Sequence, residues 1–146
     1  MKANVVFIED SPEDADLAIR LLKKNNSVSE VKLLDDGQKA LDYFFGDENS
    51  HTWQVTSSCV ILLDLKLPKV SGLEILEKIK SAPDLKCIPV VVMTSSREDI
   101  DIQRAYALGA NSYIVKPVQF GDFEDTICQL GAYWLALNQP LNSLSC

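Results

Sequence analysis

The chain predicts one α/β domain, a doubly wound parallel sheet of five strands with five helices. Short apolar runs rich in β-branched residues recur along it, and helical patterns with readable ends separate them in strict alternation. Three of the runs are continuous, without polar alternation, as strands covered on both faces require. With 146 residues, the chain has the length of a single domain with a core of its own.

The runs are Asn4–Ile8, Val31–Leu34, Cys59–Leu63, Ile88–Met93 and Ser112–Val115. The first helix opens at Ser11-Pro12-Glu13-Asp14, where serine can cap, proline sits at the first helical position and the acids favour the positive end of the dipole. Leu17/Leu21 and Ala18/Leu22 then repeat four residues apart, and Lys23-Lys24 close the helix. Ala40, Leu41, Phe44 and Phe45 ahead of Gly46 mark the second helix, and Leu73, Leu76 and Ile79 the third. Ser96 and Asp99 are expected to cap the fourth, which ends at Leu108-Gly109; a fifth starts near Phe120. Right-handed crossovers follow from this order. The one long connection is the polar stretch Gly46–Ser58.

Fourteen basic against twenty-one acidic residues leave a net charge of −7, which gives no broad electrostatic footprint for nucleic acid or anionic lipid. The four cysteines contain no CxxC pair and there is one histidine, His51, so a Cys/His zinc site is not expected. Cys59 and Cys87 sit beside apolar runs and read as buried, reduced thiols. Acid comes too early at the N-terminus for a signal peptide, and the uncharged stretch 126–146 is too rich in Gln, Asn and hydroxyl residues for a membrane span. A cytoplasmic location is expected.

Ligands of an open α/β sheet bind outside the carboxyl ends of its strands. There the first strand ends in Glu9-Asp10, the third in Asp64, the fourth in Thr94-Ser95-Ser96 and the fifth in Lys116-Pro117. Three crowded carboxylates need protons or a cation, and a hard divalent ion such as Mg²⁺ takes oxygen ligands while still accepting a phosphoryl oxygen. One carboxylate can then attack phosphorus, provided the charge on the transferring group is neutralised. Lys116 and the Thr94 hydroxyl are suited to that task.

These residues carry a resemblance. The segments FIED (7–10), ILLDLKLPKVSG (61–72), VVVMTSS (90–96) and GANSYIVKP (109–117) resemble the receiver domain of two-component response regulators, whose best-known single-domain form serves chemotaxis. The spacings agree, 30 residues from Asp64 to Thr94 and 22 from Thr94 to Lys116, and the resemblance covers roughly residues 3–130. It implies a receiver-like, flavodoxin-type sheet with strand order 2-1-3-4-5. It also implies that Asp64 accepts a phosphoryl group from a sensor histidine kinase in a reaction needing Mg²⁺ or Mn²⁺. By the same resemblance Asp10 and Glu9 serve the metal with Asp64, and Lys66 offers its backbone carbonyl. Thr94 is the switch hydroxyl, Tyr113 the aromatic that follows it, and Lys116 the site cation, with a cis bond to Pro117. Pro68 and Gly72 match the loop after the acceptor. Lys66 stands where many receivers carry a neutral or small side chain, and Ser96 could orient a hydrolytic water.

The long loop, the LDLKLPK run and the aromatic C-terminal extension resemble regulators paired with bacterial phytochromes. Phe123, Ile127, Leu130, Trp134 and Leu137 form a heptad-like seam with steps of 4, 3, 4 and 3. The first members are expected to pack on the sheet. The seam as a whole is expected to serve a homodimer, with residues 1–130 forming the receiver and 131–146 a C-terminal helix and tail. Only about thirty residues follow Lys116, so output is expected through protein contacts on the face of the fourth helix, fifth strand and fifth helix, where Tyr106 lies. Two other readings compete. A haloacid-dehalogenase-type phosphohydrolase would carry a second Asp where this chain has Lys66, and a phosphorylation-independent pseudo-receiver has usually lost the acceptor, the lysine or the acidic pair.

Overall fold

The computed structural model describes residues 3–25, 28–46 and 59–141. The polar connection with His51, beyond Gly46, and the tail after Leu141 lie outside them. Five strands, β1 (Ala3–Ile8), β2 (Val28–Leu34), β3 (Cys59–Leu63), β4 (Val90–Thr94) and β5 (Ser112–Val115), pair in parallel in the order β2-β1-β3-β4-β5. Five helices connect or follow them: α1 (Pro12–Asn25), α2 (Gly37–Phe45), α3 (Gly72–Ser81), α4 (Asp99–Ala107) and α5 (Phe120–Ala132).

Strand alternation divides the core into two layers. Val6, Ile8, Ile61, Leu63, Val90 and Val92 face α2, α3 and α4, meeting Phe44, Ile75, Leu76 and Ile79. Val5, Phe7, Val60, Leu62, Val91 and Met93 face α1 and α5, meeting Leu22, Phe123 and Ile127. Each such fully buried aliphatic side chain contributes roughly 1.5–3 kcal/mol relative to exposure. β3 and β4 are buried along their whole length, which explains their unbroken apolar sequences.

Local chemistry sets the helix starts. Asp36 and Ser71 cap α2 and α3 by accepting from the backbone N–H of Lys39 and Glu74. The fourth apolar run becomes strand only from Val90, because Pro89 has no N–H and the Ile88 N–H closes a turn onto the Leu85 carbonyl at 3.0 Å. The Lys80 ammonium ties that turn down, donating to the carbonyls of Lys86 and Ile88 and to Asn111 Oδ1. The fourth helix departs from expectation: its N-cap is Glu98, which makes no side-chain cap bond. Ser96 lies two residues earlier and is tied to α4 in another way, described below. Gly109 takes φ 106°, the left-handed turn that ends this helix.

The C-terminal seam is not one surface. Phe123, Ile127 and Leu130 are buried in the chain's own core, which removes them from any contact with a second copy. Trp134 is half-buried against the same cluster, whereas Leu137 is 77% exposed. Between them the helix widens into a π-helical turn, Tyr133–Leu137, closed by the Asn138 N–H on the Tyr133 carbonyl at 2.7 Å. That change of pitch breaks the heptad phase. Cys59 is buried and free as expected, whereas Cys87 is half-buried where a buried thiol was expected. Among the described residues no helix is long and apolar enough to cross a membrane.

Candidate functional site

The sheet itself places the acids. Ile8 of β1 pairs with Leu34 on one side and Leu63 on the other. The ladder runs one step further: the Glu9 N–H donates to the Leu34 carbonyl and the Asp64 N–H to the Ile8 carbonyl, both at 3.0 Å. Two buried carboxylates therefore emerge side by side at the carboxyl edge, with the exposed Asp10 next to them. Oxygens of Glu9, Asp10 and Asp64 all lie within 4.8 Å of one another.

Lys116 comes to the same edge from the end of β5, its N–H bonded to the Thr94 carbonyl at 2.7 Å. With only 10% of its side chain exposed, its ammonium donates to Glu9 Oε1, to Asp64 Oδ2 at 3.1 Å and to Asp14 Oδ2 at 3.2 Å. Asp14 is a site residue missed in the sequence. Its signal was an acid one helical turn beyond Asp10, which reads equally well as a favourable charge at the start of α1. The Lys116–Pro117 bond, expected cis, is not: the described residues contain no cis peptide. Trans is the ordinary form of an X–Pro bond, favoured by ~0.5–1 kcal/mol, and from it Lys116 already meets three carboxylates.

The turn after Asp64 is held from below. The Lys66 N–H donates to Asp64 Oδ1 at 3.2 Å, while its side chain stays exposed. The Gly72 N–H donates to the Leu65 carbonyl at 2.8 Å, and α3 starts so close that a Cβ at position 72 would lie 2.2 Å from the Asp64 carbonyl oxygen. The Gly37 N–H reaches the Pro68 carbonyl, fixing the far end of the same loop.

Thr94 is fully buried, and its Oγ1 accepts from the Ser96 N–H at 3.5 Å. The Ser96 carbonyl accepts from the Tyr113 hydroxyl at 3.0 Å, so Thr94 and Tyr113 are joined through one residue. Ser96 Oγ is already committed, donating to Asp101 Oδ2 at 2.5 Å and accepting from the Glu98 N–H at 3.3 Å. It anchors the first turn of α4, with its O–H used on Asp101 and one lone pair on the Glu98 N–H.

Burial pushes the Glu9 carboxyl up to about 7; the hydrogen bond from Lys116 pulls it back, and the charge of Asp64 adds to the rise. Burial alone would lower the Lys116 ammonium, but the bond to Glu9 and the charges of Asp64 and Glu9 outweigh it and raise its affinity for the proton. Four carboxylates around one ammonium leave the edge short of positive charge. Three of them form a compact, all-oxygen donor set, which fits a hard divalent cation.

The response regulator receiver domain model matches residues 5–127. The chain belongs to the response regulator receiver domain family. As a receiver it is a signalling domain of a two-component system. It is 38% identical over 135 residues to a probable methanogenesis regulatory protein, FilR2, of Methanothrix harundinacea, covering 92% of this chain and 85% of that one. It is 34% identical over 131 residues to response regulator Rcp1 of Synechocystis, covering 90% and 88%. The Mn²⁺-bound structure of Rcp1 superposes with a TM-score of 0.86 at 32% identity, covering 94% of this receiver and 98% of that chain. The phosphorylated cyanobacterial phytochrome response regulator RcpA superposes with a TM-score of 0.88 at 32% identity, covering 96% and 99%. The strand order of a receiver, 2-1-3-4-5, is the one observed.

Proposed function

We propose that Asp64 is the phospho-acceptor of this receiver and that Glu9, Asp10 and Asp64, with the Lys66 carbonyl, hold Mg²⁺ or Mn²⁺. The observation that carries the reading is the meeting of Asp64 with two further carboxylates and the Lys116 ammonium at one strand edge. In the transfer a bond forms between an Asp64 oxygen and phosphorus while the bond from phosphorus to the kinase histidine breaks, and the imidazole nitrogen keeps that electron pair. The divalent cation, when bound, supplies positive charge to the transferring group. Lys116 supplies it from the opposite side, and the Thr94 hydroxyl turns from the Ser96 N–H toward the new phosphoryl oxygens. That movement releases the Ser96 backbone and with it Tyr113 and α4, the output face, where Ile100 and Tyr106 are exposed. The partner is a sensor histidine kinase, a bacterial phytochrome by the kinship with the phytochrome response regulator RcpA, and the location is the cytoplasm.

Incubation with a small phosphoryl donor tests this by intact mass. A gain of one phosphoryl group that needs Mg²⁺ and disappears in Asp64→Asn supports the reading; no gain overturns it in favour of a pseudo-receiver. A second reading concerns assembly. Tyr133, Leu137 and Leu141 leave an apolar strip beyond the receiver, and this extension, with the outer edge of Trp134, joins two copies as a homodimer. Sedimentation expects a dimer that Leu137→Asp dissociates; a monomer at high concentration, with and without a phosphoryl analogue, removes it.

A further inference from the structure

Asp14 differs from the other three carboxylates at the edge. Its oxygen lies 3.2 Å from the Lys116 ammonium, yet it stands outside the group formed by Glu9, Asp10 and Asp64. It belongs to α1, where its own N–H is held by Ser11 Oγ at 3.4 Å, and its side chain is 38% exposed. Lys116 has three N–H donors and three carboxylate acceptors, and two of those acceptors, Glu9 and Asp64, belong to the candidate cation set.

A cation and an ammonium therefore compete for the same two carboxylates. We infer that Asp14 is the positioning residue that resolves this competition: it keeps a claim on Lys116 while Glu9 and Asp64 turn to the cation, so that both positive groups fit the edge together. The inference rests on the divalent-cation reading given above. Without Asp14 the ammonium has only the cation's own ligands as partners, and the cation must displace it more fully. Asp14 thereby ties the first turn of α1 to the charge state of the site.

The test is calorimetric Mg²⁺ binding to the full chain, with Mg²⁺ alone and no phosphoryl donor, in a double-mutant cycle of Asp14→Asn and Lys116→Met. Asp14→Asn is expected to weaken Mg²⁺ binding about three- to fivefold in the native background, the size of a half-exposed ion pair. In the Lys116→Met background the same change is expected to weaken it less than about twofold, because there is no ammonium left to hold. Thermal unfolding of Asp14→Asn should stay near the native curve, since the side chain is partly in solvent. Equal weakening in both backgrounds overturns the inference, because Asp14 then acts only as a distant negative charge. No weakening in the native background also overturns it. If the unaltered chain does not bind Mg²⁺ at all, the cation-site reading itself fails and this inference falls with it, an outcome distinct from loss of coupling alone.

Discussion

Gly72 sits where the first turn of α3 meets the end of β3, and replacing it by alanine tests how tightly that junction holds the site. An added Cβ would lie 2.2 Å from the Asp64 carbonyl oxygen and 2.6 Å from the Leu65 Cα. Both are backbone atoms, which no side-chain rotation can move aside, so α3 or the turn after Asp64 must shift. Overpacking of this kind costs ~1–3 kcal/mol. The better helix propensity of alanine returns less than ~1 kcal/mol at a helix start. The Gly72 N–H bond to the Leu65 carbonyl lies in the same junction and is stretched by any shift. With that bond weakened as well, a net loss of about 1–3 kcal/mol follows, or roughly 2–12 °C in Tm for a chain of this size. Urea denaturation measures the loss, and Mg²⁺ titration of the still-folded variant should show weakened binding, because the displaced atoms are those of Asp64 itself. Gly121→Ala is the control. Nothing lies within 4 Å of a Cβ there, on the first turn of α5, and alanine should be neutral or stabilising by up to ~1 kcal/mol. Native stability and native Mg²⁺ binding in Gly72→Ala would refute the packing argument, as would an equal loss in Gly121→Ala.

Three further outcomes are expected. Ile127→Ala should cost ~2–5 kcal/mol because the side chain is fully buried, whereas Leu137→Ala should stay within about 0.5 kcal/mol for the monomer; similar denaturation midpoints for the two would contradict the division of the seam. Glu9, buried and held up to about 7, keeps its proton in the folded metal-free chain over a range where the unfolded chain has lost it, so stability should fall as pH rises from about 4.5 to 7. Cation binding needs the carboxylate, so Mg²⁺ affinity should fall up to about tenfold per pH unit below 7; calorimetry showing pH-independent affinity from 5.5 to 7.5 would count against it. Burial pushes the Cys59 thiol up to about 12, leaving about one thiolate in ten thousand at pH 8. Iodoacetamide should modify Cys59 only after denaturation, and native-state labelling as fast as that of the partly exposed Cys128 would be the opposite result.

Some misreadings share one cause, that a residue with a plausible local role was taken at that role. Ser96 looked like a helix cap, yet its O–H reaches Asp101 inside the first turn and its backbone links Thr94 to Tyr113. Asp14 looked like a charge suited to a helix start, and it is that as well as a partner of Lys116. Phe123, Ile127 and Leu130 shared a seven-residue rhythm with Trp134 and Leu137, but that rhythm describes a core-facing stripe as well as a dimer stripe. Only packing against Val5, Phe7 and Leu62 tells them apart, and the π-helical turn then ends the phase.

What the linear chain determined by itself is everything written within a few residues. β-Branched runs, helix starts at Ser11 and Phe120, and the acids and lysine that close the strands are local patterns, and parallel pairing of such strands necessarily brings their carboxyl ends to one edge. The family motifs are equally local. The tertiary structure decided what depends on distance through space: that Lys116 meets Asp14 across 102 residues of chain, that position 72 has no room for a Cβ, that Pro89 delays β4, and that Phe123, Ile127 and Leu130 of the C-terminal seam are core. A hydrogen bond lasts over about 3 Å, and neither periodicity nor composition specifies which side chains from different elements come that close; the packing of α1 and α5 against one face of the sheet does.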